Sequence, residues 1–343
     1  MTKILKIRNE SDFEKIRIAA SVIKKGGLVA FPTETVYGLG ANALDVNAVK
    51  RIFEVKKRPL DNPIIVHIAN KMEIYQLSRD VPSYAKKLIK KFWPGPLTLV
   101  LKKAEIVPKI TCANLDTIAI RMPDNKIALT LIKEAGVPIA APSANLAGKP
   151  SPTSAQHVIQ DLYGKIDIII DGGPTRIGIE STVINLTASP PVLLRPGGIT
   201  FEQLRKFLPK LGIHPSIKGE FLKEHAISPG MKYRHYAPSA EMVVIEGEHR
   251  NVRRKINELV QIYKKKKKRI GIITTSEFSY DADVIKFIGK TPASIAKNLF
   301  RTLREMDDEK VDLIIAEGVK EDGLGLAIMN RLRKASSFNV INV

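Results

Sequence analysis

The 343-residue chain is poor in cysteine, in aromatic residues (6%) and in acidic side chains. Because Cys112 is the single cysteine, no disulfide can form within the chain, which favours a reducing compartment. No apolar stretch approaches the about 18 residues that a membrane-spanning helix requires. The first residues also lack the apolar core of a signal peptide. We therefore expect a cytoplasmic protein with no membrane partner.

The shortage of acidic side chains leaves a strongly basic protein. There are 55 lysines and arginines against 35 aspartates and glutamates, which gives a formal net charge of +20. Such a charge favours anionic partners, either nucleotides or nucleic acid. The length suits about two domains, and a hydrophobic content of 44% is sufficient for folded cores.

Short apolar strands alternate with helical patterns through the first two hundred residues. Strands are predicted at 28–31, 64–68, 97–101, 118–122, 139–141, 166–170, 182–186 and 192–194. Helices are predicted at 48–55, 83–92, 126–135 and 154–162. Continuously apolar strands indicate a sheet that is covered on both faces, and short connections favour some antiparallel pairs. We therefore predict an α/β fold with a mixed sheet.

The pattern breaks near residue 210 and resumes after 240. Prolines and glycines interrupt any periodicity between these points, although the string 228–238 is rich in aromatic and basic residues. We predict an N-terminal α/β domain at 1–208, a linker at 209–240 that packs over a site, and a small Rossmann-like domain at 241–343. The last domain lacks the G-x-G-x-x-G string, so dinucleotide binding is not inferred. The basic run 264–269 is either an RNA contact or a solvated helix end.

Familiar catalytic motifs are missing. The chain has no P-loop string, no G-x-S-x-G elbow, no kinase signature and no zinc-ligand spacing. Two polar strings stand out instead, Lys56-Lys57-Arg58-Pro59 and Ala141-Pro142-Ser143-Ala144-Asn145. Their cations, hydroxyl and amide suit a nucleotide triphosphate, whereas the alternative for the first string is a solvated helix end.

Two arginines lie at the ends of apolar strands. Arg121 and Arg195 each precede a proline closely, and a partly buried arginine at a strand end needs an anionic partner. A structural salt bridge is the alternative. The strings 33–35 and 180–182 add hydroxyl groups at strand ends, where they could bind a small polar ligand.

These strings, in this order, resemble the YrdC-like L-threonylcarbamoyladenylate synthase family in its longer, two-domain type. The matching segments are 32–39, 56–63, 93–98, 119–123, 138–145, 178–184 and 194–198. The resemblance implies a twisted mixed sheet with helices around a concave cleft, followed by a smaller Rossmann-like domain. It also implies a nucleotidyltransferase that forms threonylcarbamoyl-AMP and pyrophosphate from L-threonine, bicarbonate and ATP. The product would pass to a tRNA threonylcarbamoyl-transferase complex that modifies adenosine 37 of ANN-decoding tRNAs.

The resemblance also assigns site residues. Those implied to bind ATP are Lys56, Arg58, Asn62, Thr117, Ser143, Asn145, Ser151, Arg195 and Tyr236, of which Lys56 and Arg58 are also implied to be catalytic. Those implied to bind L-threonine are Thr35, His67, Arg121, Ala141 and Ser181. The resemblance implies that Mg²⁺ is the cofactor and is held through the ATP phosphates, and that Tyr236 closes over the nucleotide as a lid.

Two other functions compete with this one. The first is a non-catalytic module that binds double-stranded RNA or tRNA, which the charge of +20 supports. Thr35, His67 and Arg121 favour a small ligand instead, because binding to an RNA backbone calls for exposed lysines and arginines; weak RNA binding is a further expectation. The second is a transferase that uses carbamoyl phosphate, but the chain lacks the acylphosphatase-like and zinc-finger segments of such relatives.

Overall fold

Two compact units make up the computed structural model, which describes residues 1–219 and 236–343. The first unit comprises Met1–Ala147 and Ser151–Tyr233, and the second comprises Gly148–Pro150 and Arg234–Val343. Half of the predicted linker 209–240, including residues 228–235, lies outside the described residues. Its packing over a site therefore stays a prediction.

In the described part of the first unit, eleven strands form one mixed sheet with helices packed against it, and this confirms the predicted α/β fold. The strands are β1 (Lys3–Lys6), β2 (Val29–Pro32), β3 (Tyr37–Asn42), β4 (Ile65–His67), β5 (Leu97–Lys102), β6 (Thr117–Arg121), β7 (Ile139–Ala140), β8 (Ile168–Asp171), β9 (Thr182–Asn185), β10 (Val192–Arg195) and β11 (Gly212–Ile213). Their order across the sheet is β1-β8-β2-β3-β7-β4-β6-β5-β9-β10-β11. The pair β4–β6 is parallel and the pair β5–β6 is antiparallel, so the sheet has both kinds of neighbour.

Several helices in the described part of the first unit begin after a residue whose polar side chain caps them, and the helices pack through apolar faces. They are α1 (Glu14–Lys24), α2 (Val46–Lys56), α3 (Ile74–Leu77), α4 (Ser83–Phe92), α5 (Lys126–Ala135), α6 (Ala155–Leu162) and α7 (Phe201–Arg205). Helix α2 begins after Asp45, whose side chain accepts hydrogen bonds from the backbone N–H groups of Asn47 and Ala48. It ends at Lys57, which adopts the left-handed conformation (φ 53°). This turn separates the buried Lys56 from the half-buried Arg58.

Strand β3 was not predicted, and its glycines explain why. It forms an antiparallel hairpin with β2, in which Val29 pairs with Gly40. A Cβ atom at Gly40 would lie 2.7 Å from the Phe31 ring and 2.8 Å from a methyl group of Ile139, so the close packing requires glycine. The same glycines remove the apolar signal by which a strand is recognised in a sequence.

Five parallel strands form the sheet in the described part of the second unit, as the Rossmann-like prediction implied. They are β12 (Glu241–Glu246), β13 (Ile270–Thr274), β14 (Val284–Phe287), β15 (Leu313–Glu317) and β16 (Val340–Asn342), in the order β14-β13-β15-β12-β16. The helices are α8 (His249–Lys265), α9 (Pro292–Asp308) and α10 (Gly325–Ala335). Strands β14 and β16 were not predicted, because they are short and partly exposed.

The tripeptide Gly148–Pro150 belongs to the second unit by its contacts. Arg304 Nη2 donates a hydrogen bond to the carbonyl oxygen of Pro150 at 2.7 Å. The backbone N–H of Ala237 donates to the carbonyl oxygen of Gly148 at 2.9 Å. No helix in the two described ranges is both long enough and apolar enough to cross a membrane.

Candidate active site

One face of the first unit's sheet carries most of the polar side chains that the sequence singled out. The register pairs His67 on β4 with Arg121 on β6, and paired residues point to the same face. Leu99 pairs with Ile120, which places Thr98 of β5 opposite Arg121. Arg195 on β10 pairs with Val183, whose parallel partner is Thr98. The polar row at these strand ends therefore consists of His67, Arg121, Thr98 and Arg195, and on β9 the apolar Val183 lies between the last two.

An apolar patch lies next to this row on the same face. Ile65 pairs with Ala119, and Ala119 pairs with Val100. Each of the three lies two residues along its own strand from a residue of the polar row, and so on the same face. These three residues form a buried cluster with Val183. A polar row beside an apolar patch is the usual lining of a site for a small organic ligand.

Lys56 holds the loop 141–145 in place. It is only 2% exposed, and its Nζ donates to the carbonyl oxygen of Ser143 at 2.6 Å and also to that of Asn145. The backbone of the loop continues the sheet, because the N–H of Ala141 donates to the carbonyl oxygen of Ile65 at 2.9 Å. The two polar strings of the sequence therefore meet in space, as a triphosphate site would require.

Arg58, Asn62 and Thr117 occupy less polar surroundings. Arg58 donates from Nε to the carbonyl oxygen of Asn62 at 3.2 Å and from Nη2 to that of Pro63 at 2.9 Å. Asn62 is 2% exposed, and no hydrogen bond within the described residues reaches its Oδ1. Thr117 begins β6 at the opposite end from Arg121, about 13 Å away at the rise of a strand. It lies two residues before Ala119, and so on the face of the apolar patch.

A buried ion pair joins Arg121 to Glu34. Arg121 Nη2 lies 2.7 Å from Glu34 Oε2, and the two side chains are 4% and 1% exposed. Although the two charges are in contact, both Glu34 oxygens and Arg121 Nη2 have no hydrogen-bond partner among the described residues. Arg121 Nε reaches the carbonyl oxygen of Gly95 only at 3.4 Å. Arg121 therefore has the structural salt bridge that was one alternative, and its Nη2 can still donate a hydrogen bond to an anionic ligand, which was the other.

The hairpin loop between β2 and β3 presents Glu34 and Thr35. Thr33 Oγ1 lies 2.8 Å from Thr35 Oγ1 and donates to the carbonyl oxygen of Val36 at 2.7 Å. The N–H groups of residues 177 and 178 donate to the carbonyl oxygens of Glu34 and Thr35 at 2.8 and 3.1 Å. These bonds fix the loop, so the side chains of Glu34 and Thr35 are held in place before any ligand arrives.

His67 is a neutral polar group in this pocket. Burial, and secondly the charge of Arg121, lower the pKa of its imidazole to about 3. Its ring lies edge-on to Phe31 with a centroid distance of 6.3 Å. Its Nδ1 is buried and has no hydrogen-bond partner within residues 1–219 and 236–343.

Ser181 links the two arginine-bearing ends of the polar row. Its Oγ lies 2.8 Å from Thr98 Oγ1 and accepts a hydrogen bond from Arg195 Nη2 at 3.1 Å. Arg195 Nε also donates to the Ser181 carbonyl oxygen at 3.0 Å. A Cβ atom at Gly197 would lie 2.4 Å from backbone atoms next to Ser181, so glycine permits this close approach.

Two further assigned residues have their own contacts. Ser151 is buried and donates to Glu180 Oε1 at 2.7 Å. Tyr236 belongs to the second unit, where its ring stacks at 5.1 Å on Phe300 and at 5.8 Å from the Arg331 guanidinium. Its assignment as a lid stays a prediction. The sequence analysis assigned no ligand role to Glu34 or Thr98, although each lies inside a segment that it had singled out.

Metal ligands do not cluster in the described residues. No group of three or more histidine, cysteine, aspartate or glutamate side chains there is placed to hold an ion. This part of the chain therefore shows no donor set of the kind that holds a resident metal ion.

Comparisons with known proteins agree along the whole chain. A family described as "Telomere recombination" matches residues 21–197, and one described as "Threonylcarbamoyl-AMP synthase, C-terminal domain" matches residues 199–337. The threonylcarbamoyl-AMP synthase of Pyrococcus abyssi is 58% identical over 343 residues and is covered completely, as is this chain. That of Bacillus subtilis is 50% identical over 333 residues, which cover 95% of this chain and 94% of the relative.

Solved structures give the same result. The crystal structure of P. abyssi Sua5 complexed with L-threonine matches with a TM-score of 0.97 at 58% identity, covering 100% of both chains. Escherichia coli YciO matches with a TM-score of 0.53 at 30% identity, covering 58% of this chain and 97% of its own. The chain therefore belongs to the threonylcarbamoyl-AMP synthase family, in its two-domain form.

Proposed function

We propose that the protein forms threonylcarbamoyl-AMP, with release of pyrophosphate and water, from L-threonine, bicarbonate and ATP. The observation that carries the proposal is the polar row on one sheet face, which joins Arg121 and His67 to Arg195 through Ser181. A pocket for an amino acid thereby adjoins cations suited to phosphates. Family membership supports the same reaction.

The chemistry requires positioning rather than a protein nucleophile. The threonine ammonium group loses a proton to solvent, the resulting amine and bicarbonate give a carbamate and water, and a carbamate oxygen then attacks the α-phosphorus of ATP with pyrophosphate leaving. The protein must hold the reacting atoms together, offset the triphosphate charge and exclude water from labile intermediates. A buried row of fixed donors suits these tasks.

Each side of the row has its own task. Arg121 receives the threonine carboxylate, and Thr35, His67, Ser181 and the Ala141 carbonyl enclose the rest of the amino acid. On the ATP side, cations bind the phosphates and neutral groups complete the pocket. This set comprises Lys56, Arg58, Asn62, Thr117, Ser143, Asn145, Ser151 and Arg195, with Tyr236 as the lid.

Magnesium enters this scheme as part of a substrate. Triphosphates bind Mg²⁺ through their own oxygens, and the chain supplies cations to the remaining phosphate charge. The product goes to a tRNA threonylcarbamoyl-transferase complex. We also propose a cytoplasmic location, which a chain with a single cysteine and so no internal disulfide supports.

Pyrophosphate release tests the reaction directly. We expect release from MgATP only when L-threonine and bicarbonate are both present, because the attacking oxygen does not exist without both. Labelled bicarbonate should appear in the nucleotide product. Strong release with either substrate omitted contradicts the proposal, and tight RNA binding without any turnover would favour the RNA-binding alternative.

A further inference from the structure

Two opposite charges face the amino-acid pocket, and only one of them has an assigned ligand group. Arg121 provides the positive charge. Glu34 provides the negative one, with its side chain 1% exposed and neither carboxylate oxygen accepting a hydrogen bond from the described residues. A buried carboxylate normally has its lone pairs filled, because an unfilled one loses its hydration without compensation. Glu34 therefore has acceptor capacity for a ligand.

We propose that Glu34 binds the ammonium group of the amino-acid substrate, while Arg121 binds its carboxylate. The proposal rests on the proposed function, since it takes L-threonine as the substrate. An ammonium group has three hydrogen-bond donors and no acceptor, so it can donate to the carboxylate oxygens of Glu34. A backbone carbonyl group cannot, because it has no donor. Arg121 Nη2 and Glu34 Oε2 lie 2.7 Å apart. The carboxylate and the ammonium group of an α-amino acid are also close together, so one ligand molecule can contact both side chains.

Charge balance supports this arrangement. The pair Glu34–Arg121 is neutral, and the zwitterion that enters is also neutral. A ligand that had a carboxylate but no ammonium group would bind Arg121 and leave Glu34 as a buried charge without a counterion, which is strongly unfavourable. His67 adds no charge at neutral pH, because the pKa of its ring is lowered to about 3.

The loop geometry makes Glu34 a fixed group. Its carbonyl oxygen accepts a hydrogen bond from the N–H of Ile177 at 2.8 Å. The neighbouring Thr33 side chain bonds to the backbone of residues 35 and 36. A carboxylate on so restrained a backbone is preorganised for its ligand.

A comparison of two ligands isolates the ammonium contact. L-Threonine and (3R)-3-hydroxybutyrate, which is threonine without its amino group, are titrated calorimetrically into the wild type and into Glu34→Gln. We expect the wild type to prefer L-threonine by at least about tenfold, and Glu34→Gln to lose that preference. A carboxylate that only supports Arg121 would alter the affinity for both ligands equally and leave the ratio unchanged, which would overturn the proposal.

Two controls complete the experiment. Glu317→Gln removes another buried carboxylate, bonded to Tyr280 at 2.6 Å in the second unit, and should leave the ligand ratio unchanged. The wild-type comparison needs no variant, so it can overturn the proposal even if Glu34→Gln fails to fold. Equal wild-type affinity for the two ligands overturns this proposal alone. Binding of neither ligand overturns the proposed function as well.

Discussion

Lys56 gives the sharpest stability prediction, because its ammonium is buried and serves as a structural anchor. Its Nζ donates to the carbonyl oxygens of Ser143 and Asn145, which ties the end of α2 to the loop after β7. In Lys56→Met the apolar stem keeps its packing, but both carbonyl oxygens lose the ammonium. We expect a less stable protein and a displaced loop.

The magnitude follows from the two bonds. A hydrogen bond to a charged group contributes about 1.5–3 kcal/mol, and removing the cost of burying the ammonium offsets part of the loss. We expect the free energy of unfolding to fall by about 2–4 kcal/mol. For a domain of about 150–250 residues this lowers the unfolding temperature by about 5–15 °C.

Calorimetric unfolding and pyrophosphate release are measured on the same preparations. Lys50→Met, on the exposed face of the same helix, is the matched control, because Lys50 Nζ lies 3.9 Å from Glu54 in a solvated pair. Its stability should change by less than about 0.5 kcal/mol. An unfolding temperature of Lys56→Met equal to that of Lys50→Met would refute the anchoring argument. Full turnover in a folded Lys56→Met would refute its phosphate role.

Two other variants test the site. The pKa of His67 is about 3 in the folded protein and about 6.5 in the unfolded chain. Between these pH values the unfolded chain binds more protons, so the free energy of unfolding of the wild type falls as the pH falls from about 6.5 to about 3. His67→Gln should flatten that dependence in urea unfolding, and an identical slope contradicts the assignment. In Gly197→Ala the new Cβ would lie 2.4 Å from backbone at 180–182, which should cost about 1–3 kcal/mol and weaken ATP binding. Gly212→Ala, with no contact closer than 3.9 Å, is its control, and equal stability losses would count against the reasoning.

Elements with a strong apolar period could be predicted closely from the sequence. Helices α4 and α5 have the predicted bounds, because their buried positions recur at helical spacing. Strand β3 could not be predicted, since Gly38 and Gly40 replace the side chains that would have marked its buried face. Short edge strands such as β1 are exposed at most positions and carry the same composition as a loop.

Candidate site residues could be predicted from the sequence where a charged side chain ends an apolar strand. Arg121 and Arg195 were found in this way, because an arginine that ends an apolar strand is unusual. The pairing of Arg121 with Glu34 was not predictable, because it depends on a hairpin loop folding over distant strands. The backbone contacts of Lys56 were equally hidden, since a lysine at a helix end is ordinarily solvated.

The tripeptide Gly148–Pro150 determines how the chain can be divided. Its neighbours Ala147 and Ser151 belong to the first unit, so the polypeptide passes between the two units three times. No single cut can therefore yield two complete units, and a chain truncated before residue 236 leaves the tripeptide without Arg304 and Ala237. The N–H of Ala147 also donates to the Lys56 carbonyl oxygen at 2.9 Å. The tripeptide is thus bonded covalently to a residue whose N–H contacts the backbone of Lys56.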